Sequence, residues 1–232
     1  MNATRDALSG RLNEIRRRIA AAAARSGRTE EAVTLIGVIK TVPVERVREA
    51  LEAGLRDVGE NRVQEAEAAI TALGRGSTRW HMIGHLQGNK GGRALELFDR
   101  IHTLDSIELA ERLSRKAADR GRPTPALIQV NVSGEASKSG VDPRSLQRLL
   151  ERALGLPGLA VDGLMSIGAP AERPEDARRE FAGLRELRDA AERALGVNLP
   201  QLSMGMSDDF EVAVEEGSTM VRVGRALFGA RG

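Results

Sequence analysis

The chain contains no cysteine and no tyrosine, and its 232 residues include one tryptophan and four phenylalanines. Without cysteine there is no disulfide, no thiolate nucleophile and no cysteine-ligated metal, and nothing points to secretion. Aromatics make up 2% against 41% hydrophobic residues, so a core has to be built from Leu, Val, Ile and Ala. The same scarcity removes the stacking platform of a single-strand nucleic-acid binder. A formal charge of +2 leaves no electrostatic footprint for nucleic acid either. No run approaches the roughly 18 apolar residues of a membrane span. The first residues, MNATRDALSGRLNEIRRRIAAAAARSG, lack the charged-then-apolar order of a signal peptide. These absences together predict a soluble cytoplasmic protein.

What is present alternates. A helix is predicted over 3–26, with the Arg16, Arg17, Arg18 run read as a solvated face. Short apolar runs follow at 34–40, 55–60, 80–84, 100–105, 126–133, 159–167, 200–205 and 220–224. Helical patterns lie between them at 44–53, 61–73, 106–120, 143–154 and 174–195. Asp105-Ser106 and Asp142-Pro143 have the character of helix starts. Strands alternating with helices predict a parallel sheet. Eight such units in this length predict one α/β domain over 1–232, a closed (β/α)8 TIM barrel with an additional N-terminal helix. A doubly wound open sheet is the second choice. In such barrels chemistry gathers at the C-terminal ends of the strands.

One of those ends poses a question. In TLIGVIKTVP (34–43) an apolar run leads straight into Lys40. One reading is a surface lysine with its stem packed and its ammonium in water. The other is a Schiff-base lysine, whose amine an apolar site frees as a nucleophile. Two glycine-containing turns come late in the chain, LSMGMSDD (202–209) and RVGRALFG (222–229). Each is readable as an ordinary turn. Ser207 has the look of a cap for a helix over 207–217, and backbone N–H groups at a helix start favour an anion. Barrels commonly bind phosphate after strands seven and eight, where these turns fall. Arg222, inside an apolar strand, reads as a structural ion pair or as a cation facing a ring nitrogen or phosphate. A reactive lysine, a phosphate cradle and an arginine on one barrel mouth suit pyridoxal 5′-phosphate.

The motifs GVIKTVP, VGENRVQE, WHMIGHLQGNK, IHTLDS, IQVNVSGEASKSG, GLMSIG and LSMGMSDDFEVAVEEGSTMVRVGRALFGAR resemble, in order and spacing, the YggS/PROSC family of pyridoxal-phosphate-binding homeostasis proteins. The resemblance runs from about Leu35 to Arg231. It implies a barrel like the N-terminal domain of alanine racemase, carrying the cofactor on one lysine. Lys40 matches that lysine. Asn61 matches an asparagine near the cofactor ring. Ser207, Gly224 and the residue at 225 match phosphate contacts, and Arg222 matches the arginine facing the pyridine nitrogen. An arginine there does not protonate the nitrogen, so the cofactor is a weaker electron sink than beside an aspartate.

Three positions depart from the pattern. Ile39 stands where a small hydroxyl residue is usual, and strand alternation points it away from Lys40. Arg225 replaces Thr or Ser, which removes a hydroxyl contact but keeps the backbone N–H. Gly88 replaces a commoner serine in a peripheral loop. His81 reads as a satisfied core histidine, and His85 lies at a strand end without an identifiable partner. With His102, the three histidines show no metal-binding spacing.

The function classes then separate. A racemase of this barrel type uses a tyrosine from a partner's C-terminal domain as its second acid–base. This chain runs out directly after the phosphate motif and holds no tyrosine. The expectation is therefore a monomeric carrier of the cofactor, with no residue assigned a catalytic role. It would serve vitamin B6 balance and exchange the cofactor with apo-enzymes. A pyridoxal-phosphate-dependent amino-acid racemase is the alternative. A Schiff-base aldolase acting on a sugar phosphate explains Lys40 and the turns, but not Arg222.

Overall fold

In the first 25 residues Leu8, Leu12, Ile15, Ile19, Ala22 and Ala23 recur every three or four positions, and all are buried. That spacing forms one stripe of helix α1 (Asn2–Arg25). In the computed structural model, residues 2–117, 120–135, 138–168 and 172–229 are described. The stripe lies across α8 (Phe210–Glu215) and α9 (Arg225–Phe228). The arginine run is more engaged than a solvated face. Arg16 donates to the Gly54 carbonyl at 2.7 Å. Arg18 pairs with Glu211 and stacks 4.6 Å from the Phe210 ring centroid. Arg17 alone behaves as expected, paired with Glu14 at the surface.

The apolar runs form β1 (Thr34–Val38), β2 (Asp57–Glu60), β3 (Arg79–Met82), β4 (Arg100–Leu104), β5 (Thr124–Gln129), β6 (Leu159–Met165), β7 (Gln201–Ser203) and β8 (Met220–Val223). Each pairs in parallel with the next, and β8 closes on β1. The expected (β/α)8 barrel with its extra N-terminal helix is what the chain adopts. Helices α2 (Val44–Glu52), α3 (Val63–Leu73), α4 (Gly91–Leu97), α5 (Ile107–Ala117), α6 (Leu146–Leu154) and α7 (Arg178–Leu195) cover the outside between strands.

Most strands stop one or two residues short of their predicted C-terminal ends, because the chain leaves the barrel where its mouth opens. The expected helix starts are present. Ser106 Oγ accepts from Leu109 N–H at 3.3 Å. Asp142 accepts from Arg144 N–H at 2.8 Å, capping a short 3-10 turn before α6. Positions 118 and 119, which end the predicted 106–120 helix, lie outside the described residues.

Two layers of side chains result from strand alternation. The outer layer, between strands and helices, is mostly aliphatic, with Leu150, Val58 and Ile39 among its buried members beside a few aromatics such as Trp80 and Phe181. Inside the barrel, Ile36, Leu127, Met165 and Met220 form a separate small cluster. Much of the rest of the interior is polar, with Asp57, His81, His102, Ser203 and Arg222 buried there, and that is where the site begins.

Candidate functional site

Register fixes the heights. Ile36 pairs with Arg222 and Gly37 with Val223, so Gly224 leaves β8 beside the exit of β1 that leads to Lys40. Side chains alternate, so Ile36, Val38 and Lys40 share one face, and Arg222 lies level with Ile36 below Lys40. Ile39 is buried in the outer layer, as the alternation predicted.

The turn after β1 is closed by Val42 N–H donating to the Ile39 carbonyl at 2.9 Å. Within it Thr41 takes a φ of 61°, a left-handed conformation that a β-branched side chain resists. Such a residue costs about 1–3 kcal/mol and persists only where its surroundings hold it. This reversal sits directly after Lys40. It opens onto a cavity of about 840 Å³ lined by Lys40, Thr41, Arg46, Gly224, Arg225 and Phe228 among others.

Ser207 joins this site through Gly224, and differently than expected. The helix it was predicted to cap starts at Phe210, and Asp209 instead accepts from Met206 N–H at 2.6 Å. Ser207 Oγ accepts from Gly224 N–H and Ala226 N–H, each at 3.2 Å. The hydroxyl thus ties together the two glycine turns read from the sequence. Gly205 in the first turn needs its glycine: φ is 93° and a Cβ would meet Ala213 at 2.5 Å. Gly224 is different. A Cβ there would make only ordinary contact with Val38, from 3.4 Å outward. Protein packing does not demand glycine at 224; the bare backbone leaves room on the cavity side. Arg225 is exposed and paired with Asp208.

Beneath the mouth, Arg222 is 4% exposed. It donates from Nη1 to Ser203 Oγ and from Nη2 to the Ser166 carbonyl, both at 2.7 Å. Neither acceptor is charged, so the ion-pair reading of Arg222 does not describe these contacts. Burial pushes its pKa down to about 10, with Asp209 opposing, so it is still a cation at neutral pH. A guanidinium carries five N–H groups, so these two bonds leave capacity for a further acceptor. Ser166 Oγ, on the residue whose carbonyl holds Arg222, is buried without a hydrogen-bond partner among the described residues. A buried cation held by neutral groups, next to an unsatisfied hydroxyl, is a costly arrangement that a polar ligand would complete.

Asn61 stands apart from this cavity. It lines a neighbouring one of about 460 Å³ with Arg62, Gly84, His85 and Lys90. Glu60 braces it, its carboxylate accepting from Asn61 N–H at 2.9 Å. Burial pushes that carboxyl up to about 7, with the hydrogen bond from Asn61 partly opposing. His85 does have a partner: Asp105 lies 3.4 Å from its Nδ1. Gly88 is closely approached by Arg112, with a Cβ only 2.8 Å from its Nη1, so a serine there would displace that arginine.

The histidines are not scattered either. His81 Nδ1 and His102 Nε2 are 2.9 Å apart inside the barrel, and His81 Nε2 is 2.9 Å from Asp57 Oδ1. His81 is therefore the satisfied core histidine expected of it. Asp57 and Thr41 drew no attention in the sequence, while His102 was weighed only for metal spacing and Ser203 only as part of the first glycine turn. Inward positions on facing strands were the available signal, but a strand register was needed to use it. Among the described residues no group of three His, Asp or Glu is placed to hold a metal ion. No helix of the described residues is long and apolar enough to cross a membrane.

An eight-stranded barrel with a lysine at the exit of its first strand, glycine turns after its last two and a buried arginine below defines a barrel of the alanine racemase N-terminal class. The sequence model of the alanine racemase N-terminal domain family matches residues 11–232. The chain is 47% identical over 221 residues to the "Pyridoxal phosphate homeostasis protein" of Aquifex aeolicus, covering 95% of this chain and 97% of that one. It matches the solved structure of PipY from Synechococcus elongatus, described "with PLP bound", at 38% identity and a TM-score of 0.84. That match covers 96% of this chain and all of PipY. It also matches an alanine racemase of Clostridium difficile, at 18% identity and a TM-score of 0.74. That match covers 97% of this chain and 57% of the racemase, and shows the fold alone. The chain belongs to the pyridoxal phosphate homeostasis (YggS/PROSC) family.

Proposed function

We propose that this chain binds pyridoxal 5′-phosphate as a Schiff base on Lys40 and serves the intracellular homeostasis of that cofactor, without dedicated turnover. Its effect on amino-acid and keto-acid balance is then indirect. One observation carries the reading: a single cavity joins Lys40 to Gly224 and Arg225 above a buried Arg222 that, among the described residues, has no carboxylate in hydrogen-bond contact. When bound, the group supplies an electrophilic aldehyde carbon and an anionic phosphate.

The chain's residues have matching roles. Lys40 presents its amine at the mouth, on the strained turn that contains Thr41. The N–H groups of Gly224 and Ala226, which now donate to Ser207 Oγ, would turn to the anionic oxygens when the phosphate is held, with the Ser207 hydroxyl beside them. Arg225 adds its backbone N–H there, with its side chain turned to Asp208. Arg222 donates to a ring acceptor and keeps its own protons, which restrains electron withdrawal. Asn61, on the loop that Glu60 braces, flanks the ring from the neighbouring cavity.

Turnover as a racemase would require a second acid–base opposite the lysine. The chain has no tyrosine, and His85 with Asp105 stands outside the cavity that holds Lys40. The protein would act in the cytoplasm as a monomeric single domain over 1–232 and exchange cofactor with apo-enzymes.

The visible spectrum tests this. Purified protein supplied with pyridoxal 5′-phosphate should show a Schiff-base band that borohydride removes, and Lys40→Ala should lack it. A band that survives in Lys40→Ala, or none in the wild type, overturns the cofactor reading. Amino-acid turnover abolished by Lys40→Ala overturns the carrier reading and favours the racemase.

A further inference from the structure

Below the mouth, five polar side chains from five strands form one continuous chain of hydrogen bonds. Arg222 Nη1 donates to Ser203 Oγ at 2.7 Å. Ser203 Oγ is 2.9 Å from His102 Nδ1. His102 Nε2 is 2.9 Å from His81 Nδ1, and His81 Nε2 is 2.9 Å from Asp57 Oδ1. At the far end Arg79 clamps Asp57 with two bonds of 2.7 and 2.6 Å. The five from Asp57 to Arg222 are all buried.

The proton positions follow from one fixed end. A guanidinium only donates, so Ser203 Oγ accepts from Arg222 and its own hydrogen is free to point to His102 Nδ1. His102 then carries its hydrogen on Nε2 and donates to His81 Nδ1. His81 in turn carries its hydrogen on Nε2 and donates to the Asp57 carboxylate. Every donor has an acceptor, both rings are neutral, and every dipole presents its negative end toward Arg222. An extra proton on either ring breaks this order. His102 would donate to Ser203, whose oxygen would accept from both sides while its own hydrogen lost its acceptor.

We infer that His102 and His81 are positioning residues for Arg222: as neutral Nε2–H tautomers they hold Ser203 as an acceptor and so fix the guanidinium under the mouth. The inference rests on the cofactor reading only in what Arg222 then faces. Burial pushes the His102 pKa well down, and the nearby His81, Arg222 and Arg100 act in the same direction. The other charged groups around the chain oppose change. Arg100 on β4 is paired with Asp162 on β6, Arg79 on β3 with Asp57 on β2, and Asp209 favours the charged form of Arg222. The base of the barrel, at Asp57 and Arg79, is thereby wired to Arg222 below its mouth.

The test uses the full chain with 15N-labelled histidine, which gives three rings, with exposed His85 as reference. Long-range 1H–15N correlations should show His81 and His102 neutral and protonated at Nε2. Ser203→Ala should release the His102 tautomer, weaken pyridoxal 5′-phosphate binding about tenfold, the scale of one buried hydrogen bond to a charge, and shift the Schiff-base band. Ser203→Thr, which keeps the hydroxyl, should restore all three. Asp57→Asn, which keeps the shape but not the charge, should disturb the His81 tautomer and shift the same band. A wild-type His102 that is cationic or protonated at Nδ1 overturns the inference. So does a folded Ser203→Ala with unchanged affinity and spectrum, since a purely structural role moves only the melting temperature. If the wild type takes up no cofactor, the cofactor reading fails separately, and the tautomer measurements on Ser203→Ala still decide the chain.

Discussion

The two faces of the barrel wall are filled by opposite chemistry. Outside, under the helices, Leu, Ile, Val, Ala and a few Phe residues pack into one large cluster. Inside, an apolar quartet shares the space with a string running from Asp57 to Arg222. The outer layer is where folding free energy resides, because aliphatic burial is nondirectional and additive. The inner string contributes little net stability, since each hydrogen bond replaces one to water. Its contribution is direction: it fixes which way donors point beneath the mouth.

Leu150→Ala, in the outer layer, tests the contrast most strongly. It should cost about 2–5 kcal/mol in denaturant unfolding while leaving cofactor affinity per folded molecule unchanged. A loss of affinity without a loss of stability would dissolve the division between the layers.

Glu60 is a buried carboxyl in the outer layer, on the same face as Val58. Its folded pKa of about 7 exceeds the usual value near 4.5. Its favourable contribution is therefore fully present below about pH 4.5 and is lost as pH rises through 7. Glu60→Gln keeps an acceptor for Asn61 N–H without the ionisation. Thermal melts should show no gain at pH 4 and a gain of about 2–3 kcal/mol at pH 8. An equal gain at both pH values would show that charge is not the cause.

Thr41 should give the smallest effect. Thr41→Gly should stabilise the fold by about 1 kcal/mol by relieving its left-handed strain. It should also weaken cofactor binding, because the turn that carries Lys40 becomes freer. Unchanged binding alongside the stability gain would show that the strain does not serve placement.

The alternation of apolar runs and helical patterns was enough to read the barrel, since each strand–helix unit repeats the same periodicity switch. It failed where local signals were weak. Helix α4 begins at Gly91 and Gly92, residues that argue against a helix; Gly91 is there because a Cβ would meet Leu113 at 2.7 Å. Helix α9 is too short to show a period. Lys40, Gly224 and Arg225 were legible because each marks a strand exit or a glycine turn. The string beneath them was not. His81 and His102 are 21 residues apart, and their meeting depends on strand stagger that no local pattern encodes. Ser207 was read as a helix cap, whereas its hydroxyl serves a turn 17 residues downstream.

That hydroxyl bears on how often the protein can be emptied. With Ser207 Oγ already accepting from Gly224 and Ala226, the loop keeps its backbone N–H groups satisfied when no anion is there. Loading then becomes an exchange of one oxygen for another, with no loop to unfold and none to rebuild. On the carrier reading proposed above, the site would hold its shape in the empty state as well as in the full one.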